Sequence, residues 1–462
     1  MANTHSIILS RSRSRAADYW RFILSLCSVL AALLLTSCNA HPPEAPGLQD
    51  QDQDHATTNH EYPGKFPSET GWTDLGPIFE AGETGEWDRY LWGGFAAAIL
   101  KKGETYFLYY QGSSSYRYAF DETVCGRAIG VATSRDGINF EKFEGNPVIT
   151  WAPNEECEEG AASLALATDH DGDILAFYGA NTALDDIEVN ADARLARSSD
   201  GLSFHDEGVV LDHKDNTLWG SGDELFPIAV ALTDGMWMLY YLPNKKGFSR
   251  QLGVAWGNSP LELEHSSAVT KPTQETVNMW GTGSHIRFIP RADTLMLFDT
   301  QKDKLQAWSI SLDSPQQLGG LLARYTLEDA VHAVVMLDKK RNTWFLYYQM
   351  KNMYRVKVAP YGEHDESGPS PPAVVKGVRA NPTRIELSWL PATDPETGVA
   401  AYNIYRNGAL VSSVTGTAFA DAVFEHTTSS YEISAVNLHG VEGPRSIPVS
   451  VPANASSIDD HS

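Results

Sequence analysis

Five stretches of this 462-residue chain repeat one pattern: an apolar run, a tight turn, then an aromatic strand. They are FAAAILKKGETYFLYYQG (95–112), ASLALATDHDGDILAFYGA (162–180), LFPIAVALTDGMWMLYYLP (225–243), HIRFIPRADTLMLFDTQ (285–301) and HAVVMLDKKRNTWFLYYQM (332–350). Turn residues between β-branched and aromatic runs predict a β-hairpin in each. A third strand follows every hairpin (AIGVATSRDGINF, ARLARSSDGLSF, LGVAWGNSPLEL, LQAWSISLDSP, MYRVKVAP). Two of these end in Ser-x-Asp-Gly-x-x-Phe, at Ser134–Gly137 and Ser198–Gly201, where Gly supplies a turn with positive φ and Phe returns to the core. Self-similarity at a spacing of tens of residues is the mark of radial β architectures, whose units bury their faces only against neighbours. The chain is predicted to be all-β, with a five-bladed β-propeller over residues 69–362. Five equivalent hairpins argue against a pair of β-sandwiches.

Charge narrows the function. With 59 acidic and 35 basic side chains the net charge is -24, which repels polyphosphate, so nucleic acid is excluded as a partner. A 42% hydrophobic and 10% aromatic content is ample for packed cores.

The first residues read as an export signal. Arg11, Arg13, Arg15 and Arg21 precede an apolar run from Phe22 to Leu35, too short for a confident membrane span. The run ends Leu35-Thr36-Ser37-Cys38, which resembles a bacterial lipobox. That resemblance implies cleavage after residue 37 and acylation of Cys38, palmitate included, with stable membrane anchoring by two chains. Asn39 after the Cys favours the outer membrane, so a lipoprotein at the cell surface or facing the periplasm is expected. Residues 38–68 are rich in Pro, Asp and Gln and read as a flexible tether. Outside the cytosol, Cys125 and Cys157 are compatible with a disulfide, and without nearby His they make a poor zinc site.

After a Pro/Gly/Ser hinge, Ile385–Trp389, Tyr402–Arg406 and Tyr431–Val436 alternate with period two. A Trp on an early strand and a Tyr opening a late one resemble a fibronectin type III β-sandwich, placed at 370–453. It carries no constellation of acids and is expected to space or dock.

In a propeller the innermost strands start around one mouth, and here their heads share a Trp-Gly start. Trp92-Gly93, Trp219-Gly220 and Trp280-Gly281 precede blades one, three and four. Trp92, Trp219 and Trp280 are candidate sugar-stacking platforms, since a pyranose face is apolar; blade plugs are the alternative. Asp223-Glu224 stands at the head of the apolar strand LFPIAVAL, where a carboxylate needs a reason. Period two aims only one of the pair inward unless a bulge intervenes. Glu159, Asp329 and His332 lie at other strand heads and are candidate substrate contacts.

The hairpins at Asp171-Gly172 and Asp234-Gly235, the Tyr-Tyr strands and the Ser-x-Asp-Gly-x-x-Phe strands resemble the five-bladed hydrolases of glycoside hydrolase families 43, 32 and 117. The resemblance implies an exo-acting glycosidase with a base from blade one, a tuning Asp and a general acid from later blades. FAAAIL lacks the family's Asp, so Asp88, just upstream, is the candidate base, with Glu224 as acid and Asp223 tuning it. His285 aligns with Glu224 by the Trp-Gly register and, because family 117 uses a His acid, is a further catalytic candidate. No cofactor is required. A calcium ion on the propeller axis is compatible but not indicated, and Asp169–Asp173 lacks the Gly and Glu of an EF-hand, so it reads as a turn. The partners expected are a carbohydrate substrate and, through the anchor, a membrane. Two rival functions are a non-catalytic glycan-binding lipoprotein and a polysaccharide lyase.

Overall fold

The computed structural model describes residues 67–91, 97–114, 127–151, 160–185, 188–222, 224–233, 235–243, 251–271, 285–291, 294–301, 304–311, 314–328, 330–362, 365–424 and 427–453. The leader, Cys38, the tether, Cys125 and Cys157 lie outside them. Among the described residues the chain is built from β-strands and one short 3-10 turn, and no helix is long and apolar enough to cross a membrane.

All five expected hairpins form. Blade one contains Ala98–Lys102, Thr105–Ser113, Arg127–Ser134 and Glu141–Lys142, and Tyr90–Leu91 extends its inner edge. Blade two is Gly160–Thr168, Ile174–Asp185, Glu188–Ser198 and His205–Leu211; blade three is Leu225–Thr233, Met236–Pro243, Gly253–Gly257 and His265–Ala268. Blade four is His285–Arg291, Thr294–Gln301, Lys304–Ser311 and Leu318–Thr326. Blade five is Ala330–Asp338, Thr343–Met350 and Met353–Pro360, and its outermost strand is Thr73–Glu80 from the other end of the domain. That borrowed strand ties the first and last parts of the ring together.

The ring closes at the axis as well. Each innermost strand packs against those of both flanking blades, from blade one round to blade five and back. Composition explains this convergence. The inner strands of blades one, two, three and five are Ala-rich (Ala97, Ala98; Ala161, Ala162, Ala165; Ala229, Ala231; Ala330, Ala333), so these four backbones approach one axis without collision. Second strands carry Tyr106, Tyr109, Tyr110, Tyr178, Tyr240, Tyr241, Trp344 and Tyr347, all nearly fully buried, which fill the widening wedges further out. Burying one such side chain contributes about 1.5–3 kcal/mol.

Among the described residues, five separate apolar clusters each fill one seam: blades five and one, one and two, two and three, three and four, and four and five. Period two assigns the Tyr-Tyr pairs. Tyr109 faces the seam with blade two while Tyr110 faces blade five; Tyr347 faces blade one while Tyr348 faces blade four. The first Tyr of each pair is a latch. The Tyr347 hydroxyl donates to Gly137 O (2.9 Å), Tyr109 to Gly201 O (2.8 Å) and Tyr240 to Pro315 O (2.9 Å), each in the following blade. In both Ser-x-Asp-Gly turns the Ser hydroxyl accepts from the Gly N–H at 2.9 Å, presenting that carbonyl. The amides of Gln111 and Gln349 add a second tie at the strand ends, to Ala161 O (3.4 Å) and Leu91 O (3.0 Å).

The C-terminal sandwich has one sheet of Ala373–Asn381, Arg384–Leu390 and Ala418–Ala422. The other holds Ala409–Val414, Val399–Arg406, Ser429–Asn437 and Val449–Val451. Trp389, Tyr402 and Tyr431 sit in its core. It docks on the propeller face opposite the mouth, where the inner strand of blade five turns back at Lys339–Asn342. Ala400 and Leu438 join the core between blades five and one. His439 accepts from Asp365 N–H at Nδ1 (2.8 Å) and donates from Nε2 to Asn342 O (2.9 Å), while Asn139 Nδ2 reaches Thr415 O (3.3 Å).

Candidate functional site

Inner strands run from the mouth to the far face, so their first residues ring the mouth. Three of them break register there, between Ala162 and Ala165, Pro227 and Ala229, and Ala330 and His332, whereas in blade four the shift lies between Arg287 and Arg291, towards the far turn. In blade one the inner edge is instead two pieces, Tyr90–Leu91 and Ala98–Lys102. Bulges bend a strand and re-aim its side chains, a device concentrated beside functional sites. At the bulge in blade two, buried Ser163 has φ 53° and its hydroxyl accepts from Gly179 N–H (3.2 Å).

Glu224 is where the strand pattern placed it, at the head of the inner strand of blade three. Its backbone makes a parallel bridge with Ala191 of blade two, and its side chain belongs to a residue only 8% exposed. A buried carboxyl at the mouth end of an apolar strand is the sharpest acid–base feature there. His285 begins the inner strand of blade four, as expected, and its side-chain surroundings are not among those described. Trp92, Glu159, Asp223, Trp280 and Asp329 lie outside the described residues.

Asp88 is seated elsewhere than a base in the funnel would be. Its carboxylate is buried, with Oδ2 accepting from Tyr110 Oη (3.0 Å) and from Lys142 Nζ (2.7 Å) on the outermost strand of blade one. Strands are spaced about 4.8 Å apart, so the fourth strand stands well away from the axis. Lys142 also lies 5.9 Å from the ring of Phe79, on the outermost strand of blade five, which fixes Asp88 in the seam between those blades. The same cluster recurs: Tyr348 donates to Asp74 (2.7 Å), which pairs with Arg355 (3.1 Å), and Tyr178 donates to Asp206 (2.9 Å), which pairs with Arg194 (2.5 Å). Asp88 is the blade-one member of a repeated Tyr–Asp–cation seam lock.

Trp219 is likewise a plug. A side chain at Gly253 would meet its ring at 2.8 Å, and its carbonyl accepts from Tyr241 Oη (2.7 Å). Trp87 lies over Gly112 and Gly130 in the equivalent way, and Arg194 stacks on Trp151 at 4.4 Å. These indoles cover the third-strand residue opposite the second Tyr, so the platform reading of Trp219 gives way to packing. His332 is 1% exposed and pairs in register with Gln349, so a glycan does not reach its ring. Asp169 makes the expected turn, accepting from Asp171 N–H (3.0 Å) and Asp173 N–H (2.9 Å).

One pair escaped the sequence reading. Asp192 stands in the third strand of blade two, next to Ala191, and His213 follows the outermost strand of that blade. Both ends face the mouth, because alternate strands run in opposite directions. Asp192 Oδ1 takes His213 N–H at 2.9 Å and lies 2.6 Å from His213 Nδ1. No motif joins two residues 21 apart, so no signal in the sequence marks them.

Two groups have oxygen or nitrogen ligand atoms within 4.8 Å of one another: Asp192, Asp212 and His213, and Asp365, Asp394 and Glu396 in the sandwich and its hinge. Clusters of acids alone do not define a metal centre, and neither group is assigned one.

No protein-family model matches the chain. Chitinase C of Streptomyces lividans is 36% identical over 87 residues, which is 19% of this chain and 14% of the chitinase. Chitinase Chi52 of Paenibacillus xylanexedens is 36% identical over 88 residues, 19% of this chain and 17% of the chitinase. The chain thus spans only a small part of the relatives it matches. Among solved structures, a GH43_1 enzyme of Xanthomonas citri complexed with xylotriose aligns with TM-score 0.41 and 14% identity, over 60% of this chain and 88% of the enzyme. A glycosyl hydrolase of Bacteroides ovatus aligns with TM-score 0.40 and 12% identity, over 63% and 89%. Scores this low carry no inference about activity.

Proposed function

We propose that the chain is a glycoside hydrolase acting on an extracellular polysaccharide or oligosaccharide at the propeller mouth. The observation that carries this reading is Glu224, a buried carboxyl heading an inner strand where five blades converge. Glycosidic cleavage needs a proton donor at the leaving oxygen, and a carboxyl withdrawn from bulk water at a concave mouth is suited to that role. The stretch shared with proteins named as chitinases supports a carbohydrate as the substrate class.

The finer reading is exo-action with inversion. The face opposite the mouth is occupied by the sandwich beneath blades five and one, which favours removal of terminal or side-chain sugars over threading of a polymer. The sandwich, with its three-on-four sheets and buried Trp389 and Tyr431, is read as a fibronectin type III domain that stiffens the ring. Cys38 is read as the lipid attachment point of an outer-membrane lipoprotein. The test is incubation of the purified protein with a panel of 4-nitrophenyl glycosides and oligosaccharides, following release of reducing sugar by chromatography. Turnover that is lost in Glu224→Gln supports the reading. Binding without product across the panel favours a glycan-binding protein, and an unsaturated product favours a lyase.

A further inference from the structure

We propose that Arg89 and Arg127 form an anion-recognising rim on the mouth, so that the glycan this chain takes is acidic, carrying a carboxylate or a sulfate ester; this rests on the hydrolase reading above and names its substrate class. One row of residues runs along the mouth ends of the strands. In blade one Tyr90 pairs with Ser113, and Ser113 pairs with Arg127. In blade two Gly160 pairs with Asn181, Asn181 pairs with Ala191, and Ala191 bridges to Glu224. The two halves of the row touch: a Cβ on Gly160 would stand 2.6 Å from Arg127 N and 2.7 Å from its O. Blade three thus lays its inner strand head on Ala191 as blade two lays its own on Arg127.

Ser113 and Asn181 each stand three residues past an aromatic pair, Tyr109-Tyr110 and Phe177-Tyr178, which makes Arg127 the counterpart of Ala191. The joint needs no more than a methyl group there, and blade one supplies a guanidinium. Register partners share a face of their sheet, so Tyr90, Ser113 and Arg127 lie together on the side facing blade two, the side of Tyr109.

Arg89 adds the second cation. It precedes Tyr90 on the inner edge, and its guanidinium stands 5.2 Å from the centre of the Tyr90 ring. It is half-buried, and among the described residues no carboxylate pairs with it. The acids beside it in sequence are occupied: Glu86 accepts from Glu83 N–H at 2.8 Å, and Asp88 accepts from Tyr110 and Lys142. A chain with 59 acidic side chains does not lack counter-ions. A half-buried guanidinium set against a ring and left without one is arranged for an anion from outside. The planar fork of Arg matches the paired oxygens of a carboxylate or a sulfate. The net charge of -24 repels such a glycan, but screening at physiological ionic strength confines that repulsion to about 8 Å, and contact at the rim decides.

The test is calorimetric titration of the full chain, and of Arg89→Gln, Arg127→Gln, Arg127→Lys and the double Arg89→Gln/Arg127→Gln variant, with matched oligosaccharides. The probes are oligosaccharides of pectate, alginate and sulfated galactan, each beside its carboxyl-reduced or desulfated counterpart. Expected is binding of one acidic probe about 10-fold or more tighter than its neutral counterpart, and which pair shows it tells carboxylate from sulfate. That preference should fall to within threefold in the double variant and survive in part in Arg127→Lys. It should shrink as NaCl is raised from about 50 to about 500 mM, with melting temperatures of all variants matching the wild type. Acidic and neutral members bound alike, or a preference that the double variant keeps, overturns the proposal, as does failure of every probe to bind. Chromatography of the same mixtures keeps the two readings apart. Acidic preference without product leaves the rim standing and removes the hydrolase reading; turnover of neutral glycans alone does the reverse.

Discussion

Tyr347 in blade five donates its hydroxyl to the carbonyl of Gly137 in blade one at 2.9 Å, across the seam where the ring closes. Tyr109 and Gly201 repeat the relationship one blade on, at 2.8 Å. Gly137 is required twice over: its φ is +76°, and a Cβ there would stand 3.1–3.2 Å from Phe345, Tyr347 and Tyr106. The turn and the phenol are two halves of one joint.

Removing the hydroxyl alone should weaken that joint modestly. Tyr347→Phe and Tyr109→Phe are each expected to lower stability by about 1 kcal/mol, and Gly137→Ala by about 1–3 kcal/mol through backbone strain and crowding. Urea denaturation of the three variants checks the order.

The seam lock around Asp88 separates structure from chemistry. Asp88→Asn leaves the half-buried Lys142 without its counter-charge and is expected to cost about 1.5–3 kcal/mol. Its specific activity, measured well below the melting temperature, should equal that of the wild type. A stable but inactive Asp88→Asn protein would instead restore Asp88 as the base.

Acid should loosen the ring through three carboxylates. Burial pushes Asp338 up, but the Tyr106 and Lys101 hydrogen bonds and the charges of Lys101 and Arg341 outweigh it and hold it below the usual range. Asp74 and Asp206 are also pushed up by burial, yet bonds from Tyr348 and Gly76, and from Arg194 and Tyr178, with their arginine charges, bring both below it. A depressed folded pKa stabilises fully above the unfolded value, near 3.9 for Asp, and that stability is lost as pH falls toward the folded value. Melting temperature should therefore hold down to about pH 5 and fall steeply below about pH 4. Asp338→Asn, less stable at neutral pH, should show a flatter acid slope.

The sandwich is expected to unfold together with the propeller. Leu438 is 2% exposed within the propeller's own seam core, and His439 bridges the hinge and the turn of blade five. Leu438→Asp should split a single calorimetric transition into two and lower the propeller's. Two transitions already present in the wild type would contradict the docking.

Much of this architecture is written locally in the chain. The Tyr-Tyr strands, the Asp-Gly turns and the Ala-rich inner strands each carry their own period, and the five hairpins form where that period places them. Thr73–Glu80 was illegible as a fifth-blade strand because its partner, Met353–Pro360, lies at the other end of the domain and its own exposure alternates poorly. The site was less legible for the same reason. Glu224 stood out against an apolar strand, but Asp88 acquires its meaning from Lys142, 54 residues on, and Asp192 from His213. Trp219 reads as a platform until Gly253 is placed beneath it.

The most direct measurement is kcat/KM of wild type and Glu224→Gln on the best glycoside of the panel, with both proteins shown to be folded by melting temperature. The account expects a loss of about 100-fold to 10,000-fold, the share typical of a general acid. Glu224→Gln retaining activity within threefold of wild type would contradict it.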